Sequence, residues 1–165
     1  MVLQDAWLFE GSILENLRFG KPSATDDEVI QAAKAAHVDH FIHTLDHGYD
    51  TVLNESSSNI SQGQRQLLTI ARAFLADPKI LILDEATANI DSETEAIVQN
   101  SLAKMRQGRT TIAIAHRLST IQDANCIYVL DKGRIIEHGS HEELLALGGT
   151  YHKMYSLQAG AMEGE

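Results

Sequence analysis

Cysteine is almost missing: Cys126 is the single one in 165 residues. No internal disulfide can form, and such usage fits a reducing compartment. Proline occurs twice, at Pro22 and Pro78, and there is no low-complexity tract or internal repeat. Positive charge is scarce. Lys and Arg number 13 against 23 Asp and Glu, giving a formal net charge of −10 and a pI near 5.2. That excludes the basic footprint a nucleic-acid binder needs. No apolar run reaches the ~18 residues of a membrane span, and no signal peptide is evident. Any membrane role must therefore come through another segment or chain. With 44% hydrophobic residues, the length suits one globular core rather than two.

The most informative stretch that is present runs from Ile80 to Asp91. Ile80, Leu81, Ile82 and Leu83 form a short apolar run. It reads as a strand buried on both faces, as inside a parallel sheet. Asp84 and Glu85 then stand at its end, and ligands in open α/β sheets bind outside the carboxyl ends of strands. Consecutive strand residues point to opposite sides, so the two carboxylates need not share a task. One can approach a metal ion, usually through its water shell, while the other faces a reacting water. Mg²⁺ suits such a site, because it keeps several waters and takes one or two carboxylates with phosphate. The plain alternative is an acidic pair that ends a strand and starts a turn.

Capping boxes mark most helix starts. Ser12 with Glu15 opens a short helix to Arg18, and Thr25 with Glu28 opens one carrying Val29, Ile30, Ala33 and Ala36 on one face. A further helical piece is expected around Asp39 to Leu45, then an extended Thr51 to Leu53. Ser61 with Gln64 starts a helix to about Leu75, with Leu67, Ile70, Ala71 and Phe74 at helical spacing. Asp77-Pro78 ends it. Ser92 to Glu95 reads as the cap of the next helix, with Asp91 equally a candidate N-cap, Ile97, Val98 and Leu102 inward and Gly108 as the stop. Thr110 to Ala115 reads as a second buried strand, and Leu118 to Ala124 as a short helix. Ile127–Leu130 and Arg134–Glu137 flank the hairpin turn Asp131-Lys132-Gly133. Cys126 reads as buried filler beside that hairpin, and Trp7, Leu8 and Phe9 as an exposed loop. Ser140 with Glu143 opens two last helices, parted by Gly148-Gly149. This alternation predicts an α/β fold with a mainly parallel sheet.

Several blocks occur in a telling order: Val2-Leu3-Gln4-Asp5, Ile60-Ser61-Gln62-Gly63-Gln64, Ile80 to Glu85, Ala88 to Asp91, and Ala115-His116-Arg117. In these blocks the chain resembles the nucleotide-binding domain of ABC transporters, most closely the exporter type. The resemblance covers almost the whole chain. It reads Gln4 as the Q-loop, Ser61 to Gln64 as the signature, Asp84 and Glu85 as the Walker B pair, Asp91 as the D-loop, and His116 as the switch histidine. It implies a partial P-loop NTPase-like ATPase fold. The expected division is residues 1–5 for the core strand and Q-loop, 6–76 for a helical subdomain, 77–158 for a RecA-like core, and 159–165 for a tail.

The resemblance also implies ATP and Mg²⁺ as cofactors. Glu85 would act as general base, and His116 would steady the γ-phosphate. Asp84 and Gln4 would attend the metal. Ser61, Gln62, Gly63 and Gln64 would grip ATP held by a second nucleotide-binding domain, in a homodimer or heterodimer, and Asp91 would reach that partner. A transmembrane domain would place the assembly at the cytoplasmic face of the plasma membrane, with ATP binding and hydrolysis powering export and no nucleic acid involved. Gln62 stands where the common family form has glycine, and the loop from Asn54 to Asn59 lacks the glycines usual in exporters.

A P-loop reads G-x-x-x-x-G-K-[ST], and nothing in the chain matches it. Within the resemblance, this makes the chain a carboxyl-side portion that starts at the Q-loop strand and is inactive alone. Two rival functions stand beside this one. The half-domain could be a non-catalytic interaction module. His37, His40, His43 and His47 could instead form a metal-binding stripe on one helix.

Overall fold

The computed structural model describes residues 7–54, 59–84, 91–115 and 117–162. They fall into two compact units, which divide in sequence after Ile114.

In the first unit, strand β1 (Gly11–Ser12) pairs antiparallel with β2 (Val52–Leu53). The helices are α1 (Ile13–Arg18), α2 (Asp26–Ala35), α3 (Asp39–His43), α4 (Gln62–Ala76) and α5 (Ser92–Arg106). Three of them begin as expected. At α1, α2 and α4 the cap side chain accepts the third amide, and the Glu or Gln three residues on accepts the cap amide. Each box satisfies two first-turn donors locally. At α5 the cap is Asp91, one of the two candidates: its Oδ1 accepts the Thr94 amide at 2.9 Å.

Helix α4 is the hub, with α1, α2 and α5 all packed on it. Leu67, Leu68, Ile70, Ala71 and Leu75 of α4 join Ile13 and Leu17, Val29 and Ala33, and Val98, Leu102 and Met105 in one core. Each large side chain so buried contributes ~1.5–3 kcal/mol. The helix stops at Asp77, whose left-handed φ of 45° turns the chain ahead of Pro78. Arg109 then ties three carbonyl or carboxylate groups together. It donates to Asp77 Oδ1 (2.6 Å), the Pro78 carbonyl (3.0 Å) and the Met105 carbonyl (2.6 Å). The turn into β3 (Ile80–Asp84) and the turn into β4 (Thr110–Ile114) are thus fastened to one guanidinium.

These two strands pair in parallel, from Ile80 against Thr110 to Asp84 against Ile114. Neither is buried on both faces, contrary to expectation. Leu81 and Leu83 are buried, Ile82 and Asp84 half-buried, and Ile80 exposed. In β4 only Thr111 is half-buried, and Ile112 and Ile114 are exposed. Strand β3 alternates in burial, as a strand with one face on the core does, while β4 is largely exposed; a run of apolar residues cannot reveal how many faces are covered. Leu8 also departs from expectation: it is buried, while Trp7 beside it is 62% exposed.

The second unit holds β5 (Ile127–Asp131) and β6 (Arg134–Gly139), paired antiparallel. Their turn has positive φ at both Lys132 and Gly133, as a two-residue hairpin turn of this hand requires. The stretch expected as a helix from Leu118 is only a 3₁₀ turn, Leu118–Thr120. Cys126 is exposed, not buried. Helix α6 (His141–Leu147) carries the Ser140 and Glu143 box and ends at a left-handed Gly148. Helix α7 runs Thr150–Met162. Its start is capped from a distance, since the Glu137 carboxylate accepts the amides of Thr150 and Tyr151. Leu118, Ile127, Val129, Leu144 and Tyr151 form the core. The fold is α/β as expected, with one parallel and two antiparallel pairings among the described residues.

Candidate functional site

The start of α4 has the chemistry of an anion site. Ser61 Oγ accepts the Gln64 amide at 3.2 Å, and Gln64 Oε1 accepts the Ser61 amide at 2.8 Å. The first backbone bond of the helix runs from the Arg65 amide to the Ser61 carbonyl, 3.0 Å. The amides of Gln62 and Gly63 precede that bond, at the positive end of a 15-residue helix dipole. Gly63 is buried and has no side chain to stand before these donors.

The charge pattern sets α4 apart. Helices α1, α2, α3, α5 and α6 all carry acidic residues in the first turn. At α7 the carboxylate comes from Glu137. The first turn of α4 contains no acid. Gln64 holds the box position that Glu15, Glu28 and Glu143 hold elsewhere. A neutral box satisfies the amides without cancelling the dipole, which leaves the end suited to phosphate.

Asp84 ends β3, half-buried and opposite Ile114. Its oxygens are hard donors of the kind Mg²⁺ takes, at the carboxyl end of a parallel strand. Asp91 sits on a different element, exposed, capping α5. The backbone bond from Thr94 holds its carboxyl below the usual carboxylate range. Gln4, Glu85 and His116 lie outside the described residues. The signature residues Ser61 to Gln64 are therefore gathered at one helix end, while Asp84 and Asp91 occupy two other element ends.

The histidine stripe is not formed. His37 lies beyond α2 at a φ of 58°, His40 and His43 are on α3, and His47 precedes a 3₁₀ turn. The left-handed residue breaks the helical register that spacing alone suggested. Among the described residues no group of three or more His, Cys, Asp or Glu is placed to hold a metal. Sequence reading missed Arg72 and the buried Asn16. An arginine between Ala71 and Ala73, in the middle of an apolar helix, was the available signal.

Residues 1–88 match the family model described as ABC transporter. The chain belongs to that family. A protein of Streptococcus pneumoniae serotype 4 named exp8 is 69% identical over 163 residues, covering 98% of this ABC chain and 28% of that protein. The fatty acid ABC transporter ATP-binding/permease protein of Mycobacterium bovis is 53% identical over 154 residues, with coverage of 93% and 24%. The ATP-dependent lipid A-core flippase of Desulfotalea psychrophila is 52% identical over 158 residues, with coverage of 96% and 28%. Among solved structures, a bacterial Atm1-family ABC exporter with ATP bound aligns with a TM-score of 0.87 at 44% identity, over 96% of this chain and 28% of that one. This ABC chain thus spans about a quarter of the length of the curated relatives it matches. Among the described residues no helix is long and apolar enough to cross a membrane.

Proposed function

We propose that the chain is the signature-bearing part of an ABC exporter ATPase domain, which binds and hydrolyses ATP to drive export. The observation that carries this reading is the acid-free first turn of α4 at Ser61-Gln62-Gly63-Gln64, in a chain of net charge −10. A phosphate fits that donor set. The Ser61 hydroxyl donates to a phosphate oxygen while its oxygen goes on accepting the Gln64 amide. Gln64 holds the Ser61 amide and so fixes the direction of the hydroxyl. The amide of Gly63 adds a charge-assisted bond, the stronger kind. Asp84 would hold Mg²⁺, which would supply positive charge against the phosphates of ATP.

Glu85 takes the proton of the attacking water, His116 steadies the γ-phosphate, and Gln4 senses the metal. These three roles rest on the motif resemblance. A second nucleotide-binding domain supplies the P-loop and meets Asp91. A transmembrane domain holds the pair at the cytoplasmic face of the plasma membrane. The functional division at 76/77 places the signature helix in one part and Asp84 in the other. The chain alone, without a P-loop sequence, is expected not to hydrolyse ATP.

The test mixes the chain with an intact, hydrolysis-dead ATP-binding domain of a relative and follows sedimentation. The chain should associate with the ATP-loaded domain and much less with the ADP-loaded one. Ser61→Arg, which puts a bulky side chain at the cap, should weaken the ATP complex. Equal association in both nucleotides, or no loss on Ser61→Arg, refutes the reading.

A further inference from the structure

We propose that Arg72 is a positioning residue for the signature helix: its guanidinium locks the loop from Trp7 to Phe9 onto α4, so that this loop and the helix that Ser61 opens keep a fixed relation. The inference rests on the proposed function for what Ser61 does, and on the following geometry for the lock itself.

Arg72 lies eleven residues past Ser61 in sequence, roughly 16 Å along a straight helix. Its Nε donates to the Asn16 carbonyl at 2.9 Å, Nη1 to the Trp7 carbonyl at 3.0 Å, and Nη2 to Asn16 Oδ1 at 3.1 Å. The planar fork therefore engages α1 and the loop that follows Gln4 together. A lysine, with its point charge, cannot reproduce that geometry.

Asn16 extends the lock. It is fully buried. Its Oδ1 also accepts the Phe9 amide at 3.0 Å, and its Nδ2 donates to the carbonyls of Phe9 (3.0 Å) and Ser12 (3.1 Å). The rings of Phe9 and Phe19 lie 6.0 and 5.4 Å from the guanidinium carbon, shielding the fork and adding cation–π attraction. The loop has no regular secondary structure from Trp7 to Phe9. Its backbone is held by these side chains instead of by a ladder. The fork sits on the same rigid helix whose first turn carries the signature, so displacing α4 must displace the loop.

The experiment uses the full chain in four forms: wild type, Arg72→Ala, Arg72→Lys, and Val98→Ala as a core truncation on α5 with no part in the fork. The first readout is hydrogen exchange of the Phe9 amide at matched global stability. Arg72→Ala should speed it about tenfold or more over the Val98→Ala control, with Arg72→Lys between. The second is the ratio of ATP-dependent to ADP-dependent association with the intact hydrolysis-dead domain. It should fall about tenfold or more in Arg72→Ala, recover in part in Arg72→Lys, and hold in Val98→Ala.

A Phe9 amide as protected in Arg72→Ala as in the control overturns the inference. So does a freed Phe9 amide with an unchanged association ratio, which would make the fork local packing only. A wild-type chain without ATP preference overturns the proposed function instead. In that case the lock itself still stands or falls on the Phe9 exchange rate.

Discussion

Gly20→Ala tests the same region by steric means. A Cβ built on Gly20 would lie 2.3 Å from the Arg72 carbonyl oxygen, 3.1 Å from Arg72 Cγ and 3.2 Å from the Arg72 carbonyl carbon. The nearest neighbour is helix backbone, and α4 cannot yield alone, because α1, α2 and α5 pack against it. Restoring van der Waals contact parts the Gly20 turn from α4 by ~1 Å. Overpacking of this kind costs ~1–3 kcal/mol. The three Arg72 bonds now span 2.9 to 3.1 Å, and such an opening takes them past useful hydrogen-bond length. Each lost bond adds ~0.5–1.5 kcal/mol.

A total near ~3 kcal/mol corresponds to a fall in melting temperature of ~6–12 °C for a chain of this size. Differential scanning calorimetry measures it. Trp7 is the only tryptophan and lies 6.3 Å from the Phe19 ring and 6.0 Å from the Phe9 ring, so its emission reports the local opening. Gly160→Ala in α7 is the control. No heavy atom stands within 4 Å of its added carbon, and alanine favours a helix by up to ~1 kcal/mol over glycine. A Gly20→Ala chain that melts within ~2 °C of wild type, with unchanged Trp7 emission, would refute the reasoning.

Three further outcomes are expected. Glu137 is held below its ordinary value of 4.5 by the backbone amides of Tyr151 and then Thr150. A depressed carboxyl stabilises the fold fully above that ordinary value and loses the contribution as pH falls through its lowered one. The melting-temperature gap between wild type and Glu137→Gln should therefore be constant near neutral pH and shrink below about pH 4.5; a gap that widens on acidification would contradict the cap. In a full-length exporter carrying this sequence, Glu85→Gln should keep ATP binding and slow hydrolysis ~10²–10⁴-fold, measured by phosphate release. Near-normal turnover would move the base elsewhere, with His116 the next residue to test. Pulse-labelled hydrogen exchange during refolding should protect α4 before β4, and simultaneous protection would count against the folding order argued below.

Local chemistry was legible in the sequence where a signal closes within four residues. The boxes at Ser12, Thr25, Ser61 and Ser140 all form, because cap and partner meet on one turn whatever surrounds them. At α5 the pattern left both Ser92 and Asp91 as candidates, and Asp91 is the cap, since either side chain can accept a first-turn amide and the pattern does not choose the register. Burial was less legible. Ile80 to Leu83 and Thr110 to Ile114 are apolar enough for a doubly covered sheet, yet coverage depends on what packs above, which the run itself does not encode. The candidate site divides in the same way. Ser61 to Gln64 announce themselves as a helix start. Arg72 and Asn16 meet only through tertiary contact 56 residues apart, which no local pattern reports.

The β3–β4 pairing also governs how the chain reaches its fold. Ile80 meets Thr110 only after the whole of α5 has been spanned. Closing that loop costs entropy before any contact repays it. Helices α1, α2 and α4 start from boxes complete within a single turn, and helical turns form in about a microsecond. The helices therefore assemble around α4 first, and the parallel pair closes late. Through that interval the apolar side chains of Ile112 and Ile114 have no partner strand beside them. Unpaired apolar strands recruit other chains, so refolding yield should fall with protein concentration through this one strand.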